Sequence, residues 1–331
     1  MPHTPTPMPR IADVAELAGV SVSTASKALN DTGQLREDTR TRVKEAAARL
    51  GFVPGRTGRG QADPRTYTVG LLTTDSFGRF TIPLLRGVED ALAAGRMAII
   101  LCDTRDDVLR ERHYLRSLQD RRVDGLIITG RTTDPRPSIG LAIPTVYALS
   151  PSVDPTDHSV VVDESAGAVM AAEHLQAMGS RRIVHVTGPQ RHHSASERAL
   201  AVQDALGRSL ITAPLFGHWS EEWGRHAVDM LLTSHPDADA FVCGSDQIAR
   251  GVTDRLREQG VDVPGQVRVT GFDNWDVMAL ASRPPLTTVD MGLTELGRLA
   301  GSTLLDLVEG EADPPRRQEL PPRLEVRGSS L

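Results

Sequence analysis

Apolar residues recur along this chain with two different periods, and the change of period divides it. Between residues 10 and 52 the period is helical. Ile11, Val14, Ala15 and Ala18 fall at i, i+3, i+4 and i+7, one apolar face. Gly19 comes next, a residue that takes φ > 0 without steric cost. Ser21 stands where an N-cap hydroxyl would satisfy an orphan N–H of a second short helix. Ala25, Ala28 and Leu29 form the buried side of that helix. Val43, Ala46, Ala47 and Leu50 share one face of a third, with Gly51 at its C-terminal stop. Two short helices around a Gly turn of this length predict a helix-turn-helix.

From Tyr67 onward the pattern is different. Y-T-V-G-L-L-T-T precedes the helical pattern I-P-L-L-R-G-V-E-D-A-L-A-A, and M-A-I-I-L-C precedes V-L-R-E-R-H-Y-L-R-S-L. V-D-G-L-I-I-T, R-I-V-H-V-T-G-P, A-F-V-C-G-S-D and V-R-V-T-G-F-D-N continue the alternation. Short apolar runs alternating with helices predict parallel sheets covered on both faces. So many units exceed one compact sheet, which predicts two lobes, with S-V-V-V-D at Ser159–Asp163 as the first crossing between them. The segment P-G-R-T-G-R-G-Q-A-D-P-R-T between the two regions has no period and reads as a linker. Its glycines follow no strand and do not form G-x-G-x-x-G, so it carries little weight as a nucleotide loop.

The outward residues of the second helix suit a DNA groove. Lys27 can donate to guanine O6 and N7, Ser23 can pair with either strand's base edges, and Val22 can touch a thymine methyl. A three-helix packing module with a solvated polar face fits the spacing equally well. The run V-S-V-S-T-A-S-K-A-L-N followed by D-T-R-T-R-V settles more, because it resembles the start of the lac/galactose repressor family of bacterial transcription regulators. The similarity runs from Arg10 to the final R-G-S-S-L. It implies a homodimer that binds double-stranded operator DNA through an all-α headpiece. A hinge would join the headpiece to a two-lobed α/β body of periplasmic-binding-protein type.

Carried over by motif, the resemblance assigns base reading to Val22, Ser23 and Lys27. It assigns phosphate contacts to Ser21, Thr24, Ser26, Asn30 and Thr39, with Arg10 and Arg40 as helpers. The expected divisions are a disordered arm over 1–9, the headpiece over 10–54 and the hinge over 55–66. The body over 67–331 has an N-lobe of about 67–160 and 292–319 and a C-lobe of about 161–291 and 320–331. The hinge departs from the family: Gly58, Arg59, Gly60 and Gln61 stand where a helical A-x-x-L would bring a minor-groove leucine. Arg59 and Gln61 are its candidate DNA contacts. No heptad-patterned run follows the body, which the resemblance reads as a dimer rather than a tetramer.

In the body, ligands gather at the C-terminal ends of parallel strands. Thr74, Asp75, Phe77 and Phe80, Arg198, Trp219, Ser245 and Asp273 fall at or beside such ends. The resemblance implies that Arg198 and Asp273 grip ligand hydroxyls and that Trp219 packs on a flat face. One planar ring with bidentate charged groups describes a sugar site. Aromatic stacking from both sides would instead favour a nucleoside or nucleobase. Several positions have structural alternatives. Arg198 could be an inter-lobe ion-pair partner, Trp219 a core-edge aromatic, and Trp223 is expected in the core. Asp246 is expected to cap a helix beginning at Gln247. Departures at F-G-R-F (where the family carries N-P-F-F), at Ser245 and at Leu293 leave the effector's identity open. Both induction and co-repression fit the residues.

Composition adds compartment and exclusions. Residues 1–62 hold nine Lys/Arg against six Asp/Glu, a net +3, which leaves −9 for the remainder of a chain totalling −6. A basic head on an acidic body suits docking on DNA at one end only. Cys102 and Cys243 lie in apolar runs and read as buried thiols in a reducing cytoplasm. No apolar run is long enough to span a bilayer, and the Pro-rich start lacks the apolar core of a secretory signal. A transport solute-binding protein would need that signal and no headpiece. A dinucleotide-dependent enzyme would need a glycine fingerprint after a strand, and none is present. No cofactor or metal is expected: His192–His193 have no partner at ligand spacing and read as a loop pair.

Overall fold

The computed structural model describes residues 9, 11–30, 32–50, 52, 65–93, 96–310 and 312–331. It divides into two compact units, residues 1–64 and 65–331. The first contains α1 (Ile11–Ala18), α2 (Val22–Leu29) and α3 (Glu37–Leu50). Their shared core is Val14, Ala15 and Ala18 of α1, Ala25 and Ala28 of α2, and Val43, Ala46 and Ala47 of α3, closed by Phe52. Ile11, Leu29 and Leu50 pack at its margin. Six of these core positions in α1 to α3 being alanine brings short helices close together without long side chains between them. Gly19 makes the turn at φ +62°. The Ser21 hydroxyl accepts from the Thr24 N–H at 3.2 Å, the N-cap that its position predicts.

The second unit contains two six-stranded sheets. The N-lobe carries β1 (Thr68–Thr73), α4 (Thr81–Ala93), β2 (Ala98–Asp103), α5 (Val108–Asp120), β3 (Gly125–Ile128), β4 (Thr145–Ala148) and β5 (His158–Val162). The C-lobe carries α6 (Glu164–Ala177), β6 (Ile183–Thr187), α7 (His193–Leu206), β7 (Leu215–Phe216), α8 (Glu221–Ser234), β8 (Ala240–Cys243), α9 (Asp246–Glu258), β9 (Arg268–Phe272), α10 (Asp276–Ala279) and β10 (Thr287–Asp290). The chain then returns to the N-lobe for α11 (Leu293–Glu309) and β11 (Arg317–Leu320), and ends in the C-lobe with β12 (Arg323–Glu325).

The sheet orders are β11-β5-β4-β3-β1-β2 and β12-β10-β9-β8-β6-β7. Every pair is parallel except β10 with β12. Central strands such as β3 (Gly-Leu-Ile-Ile) and β8 (Ala-Phe-Val-Cys) are buried along their whole length, because helices cover both faces. That is why these strands read as continuous apolar runs. Cys102 and Cys243 are buried free thiols, and burial raises the pKa of both. The ends of β1, β6, β8 and β9 face the crevice between the lobes, where an open α/β sheet binds its ligand.

Candidate functional site

The exposed side of α2 is short-chained and carries one cation. Val22 is 49% exposed and presents an apolar surface to solvent. Ser23 and Lys27 are exposed beside it, while Thr24 and Ser26 are half-buried. Ser21 and Thr24 hydroxyls lie 2.9 Å apart, and Asn30 reaches toward the Ser26 hydroxyl at 3.5 Å. Thr39 lies in the first turn of α3, and the next residue, Arg40, reaches the Gly33 carbonyl at 3.4 Å. This face offers an apolar contact, hydroxyls that donate or accept, and a flexible ammonium, the set that base edges and phosphates require. Arg10, Arg59 and Gln61, together with Gly58, Gly60 and residues 1–8, lie outside the described residues.

In the body, a cavity of about 660 Å³ opens between the lobes. Asp75, Phe77, Phe80, Arg198, Trp219, Ser245 and Asp273 all line it. Trp219 is held as a rigid platform. A Cβ on Gly188, just past β6, would come within 2.1 Å of the indole, so the ring lies against bare backbone. The indole N–H donates to His192 Nδ1 at 2.9 Å, which fixes its rotation in the plane. One indole face is therefore covered by backbone.

Arg198 on α7 is 4% exposed and stacks on the Phe272 ring at 3.5 Å from its centroid. Its guanidinium donates to the Gly244 carbonyl and to Glu164 Oε1, the latter at 3.0 Å. Glu164 begins α6 of the same lobe, so Arg198 is not an inter-lobe ion-pair partner. The inter-lobe pair is made by Arg79 instead. Arg79 donates to Asp273 Oδ2 and, at 2.9 Å, to Gln247 Oε1. It also lies 4.8 Å from the ring centroids of both Phe80 and Trp275. Burial lowers the Arg79 pKa to about 10, with Asp246 and Asp75 opposing the shift and Arg198 adding to it. Asp273 itself has φ +113°, a conformation rare for any residue with a side chain, of the kind that persists where surrounding structure enforces it.

Several expected roles change. Thr74 does not line the cavity: its hydroxyl accepts from the Arg131 N–H at 3.1 Å and ties two loops together. Asp75 lines it, but its Oδ2 accepts from the N–H groups of Phe80 and Thr81 at 2.8 and 3.0 Å, which anchors the start of α4. Phe77 is 95% exposed and stands at the rim. Asp246 is not the cap of α9. Ser245 is, accepting from the Ile248 N–H at 3.3 Å. Asp246 is wholly buried, and accepts from the Trp275 N–H at 2.7 Å and the Thr288 hydroxyl. Desolvation raises its pKa to about 6. His192 and His193 are not a loop pair, since His192 stands at the N-cap position of α7, without a side-chain capping bond, and His193 begins the helix. Trp223 packs in the C-lobe core as expected, its indole N–H donating to the Thr187 carbonyl at 2.9 Å.

Sequence reasoning did not single out Glu164, Gln247 or Trp275. Gln247 directly follows Asp246, and Trp275 lies two residues past Asp273, both residues that it did name near strand ends. Glu164 carries no local signal, because only the packing of α6 on α7 brings it to Arg198. Among the described residues no group of His, Cys, Asp and Glu is placed to hold a metal, and no helix is long and apolar enough to cross a membrane.

This arrangement has many relatives. The chain is 32% identical to the ribose operon repressor of Escherichia coli (strain K12) over 332 residues, covering 98% of this chain and 100% of that one. It is 28% identical to the HTH-type transcriptional repressor PurR of Aliivibrio salmonicida over 330 residues, covering 97% and 99%. Among solved structures, the lac repressor dimer bound to operator and the anti-inducer ONPF superposes with a TM-score of 0.77 at 26% identity, covering 98% and 99%. A CelR–cellobiose complex superposes with a TM-score of 0.67 at 28% identity, covering 97% and 99%. Residues 172–330 match the periplasmic binding protein-like domain, and residues 10–55 match the bacterial regulatory proteins of the lacI family. With its helix-turn-helix headpiece and two-lobed α/β body, the chain belongs to the lacI family of bacterial regulatory proteins and is a DNA-binding transcription regulator.

Proposed function

We propose that the protein is a cytoplasmic, homodimeric repressor whose grip on a pseudo-palindromic operator is controlled by a sugar bound between the lobes. In the headpiece, Val22, Ser23 and Lys27 would read base edges. Ser21, Thr24, Ser26, Asn30, Thr39, Arg40 and Arg10 would hold phosphates, and Arg59 and Gln61 would meet the minor groove. A two-fold dimer presents two copies of α2 to half-sites related by the same symmetry.

The observation that carries the effector reading is the Trp219 platform with Arg198, Ser245 and Asp273 on the same cavity. A single indole face beside groups that hydrogen-bond hydroxyls suits a pyranose or furanose ring. A nucleobase would want two aromatic faces. Trp275 and Phe80 could supply the second, but the Arg79 guanidinium stacks on both, which favours the sugar. Relatives named for ribose and a neighbour bound to cellobiose agree with that class. The effector acts through its differential affinity for two lobe arrangements, and can shift the equilibrium by no more than that difference. A thermal-shift screen of sugars, nucleosides and bases tests the class, because a ligand specific to the folded state raises its melting temperature. Stabilisation by bases and not by sugars would replace this reading with the nucleobase one.

A further inference from the structure

The cleft already holds an occupant. A second cavity, of about 730 Å³, shares Phe77, Arg79, Phe80, Asp273 and Trp275 with the first. The Arg79 side chain thus stands as a partition between two chambers. Its guanidinium delivers N–H groups to two acceptors of the opposite lobe, Asp273 Oδ2 and Gln247 Oε1, while Phe80 and Trp275 flank it. The pair is well buried, with side chains 13% and 6% exposed. Asp273 is also the residue expected to take effector hydroxyls.

We infer that Arg79 is an internal surrogate for the effector and determines its specificity: only a neutral sugar presenting two neighbouring hydroxyl donors exchanges for the guanidinium at Asp273 and Gln247. This rests on the sugar reading above. The acceptors left when Arg79 swings away are a carboxylate and an amide oxygen, so the incoming group must donate twice. Vicinal hydroxyls do so at the spacing of a guanidinium fork. An anionic sugar is disfavoured, because Asp273, Asp75 and Asp246 leave acidic charge around the vacated position while the Arg198 guanidinium beside it is already paired with Glu164. A buried carboxylate stripped of its arginine partner is costly, so the latch releases only when such donors arrive.

Arg79→Ala removes the competitor. Isothermal titration of the full-length protein with D-ribose, D-glucose, D-galactose and cellobiose should show the sugar that binds the wild type binding Arg79→Ala about tenfold more tightly, the worth of one hydrogen bond to a charged group. Gluconate and glucose 6-phosphate should bind neither protein. Arg79→Lys, which keeps the charge but loses the fork, should bind with an affinity between those of wild type and Arg79→Ala. A second readout needs no ligand. Spin labels at Val153→Cys and Met178→Cys, one on each lobe, leave the buried Cys102 and Cys243 unlabelled. With labelled chain diluted in unlabelled chain, the inter-lobe distance distribution should be narrow in the wild type and in Arg79→Lys, and broadened in Arg79→Ala.

Tenfold weaker sugar binding in Arg79→Ala would make Arg79 a direct effector ligand and overturn the inference, as would tight binding of gluconate by the wild type. If no sugar binds either protein, the sugar reading falls and the spin-label comparison alone decides the latch. Identical distance distributions in all three proteins would end it.

Discussion

On α2, Val22, Ser23 and Lys27 stand in solvent, on a helix whose opposite side packs Ala25 and Ala28 into the headpiece core. In the cleft, Arg198 and Asp273 are buried and Arg79 is largely so, and each is bonded to another side chain before any effector arrives. An exposed ammonium keeps its hydration until DNA replaces it, so it needs no partner in the free protein. A buried charge has lost its water and must be paired within the fold, or it destabilises it. On the proposed assignment, DNA recognition is therefore separable from folding, whereas effector recognition is built into the folding of the body.

The widest separation between the two regions is expected from removing a cation in each. Arg198→Ala strips Glu164 of its buried partner and should destabilise the body by about 3–5 kcal/mol in urea unfolding. Lys27→Ala should leave stability within about 0.5 kcal/mol of wild type. Equal melts for the two variants would erase the distinction.

A pH titration sharpens the same point. His185 on β6 is fully buried, with Nδ1 2.9 Å from the Val242 carbonyl, and burial lowers its pKa to about 4 from 6.5. A depressed histidine favours the fold above its unfolded pKa. The contribution, up to about 3 kcal/mol, is lost as pH falls from 6.5 toward 4. Asp246 has the opposite sign. Its pKa is raised from 3.8 to about 6, so its contribution is present below 3.8 and lost as pH rises toward 6. The two slopes oppose each other. The stability difference between wild type and His185→Gln should therefore change with pH between 6.5 and 4, and a pH-independent difference would show that the ring is hydrated in the fold.

On the DNA side, Lys27→Ala should weaken operator binding by roughly 1–3 kcal/mol and relax preference at one base pair per half-site. Thr39→Ala should weaken all sequences about equally. Competition footprinting against operator variants separates them, and unchanged base preference in Lys27→Ala would remove it from the reading face. The smallest effect is expected from Ser21→Ala, which deletes the α2 cap and should cost the headpiece about 1 kcal/mol, with the melting of the body untouched. A shift in the body's transition would mean that the two units are energetically coupled.

How much could be read in advance follows the same division. The headpiece was legible almost residue by residue: the buried faces, the Gly19 turn and the Ser21 cap all stand within a few positions of one another. The strands of the body were legible as apolar runs because helices bury both of their faces. Cleft residues were legible where they end a strand, as Asp273 and Ser245 do. The errors at Thr74, Asp246 and His192 share one cause, since each of these polar groups is claimed by a partner distant in sequence. Thr74 is bonded by Arg131, Asp246 by Trp275 and Thr288, and His192 by Trp219.

The sequence by itself determined the helix-turn-helix, the alternation of strands and helices, the family, and the residue types available to a ligand. These depend on periodicity and on turn and cap chemistry, which act over one or two turns of chain. Tertiary structure decided which carboxylate each arginine meets. Arg198 reaches Glu164 only because α6 packs on α7, and Arg79 reaches Asp273 only because two separately folded sheets face each other across the cleft. Coulombic pairing depends on distance in space and on the loss of water around both charges, and neither is written in the spacing of residues along the chain.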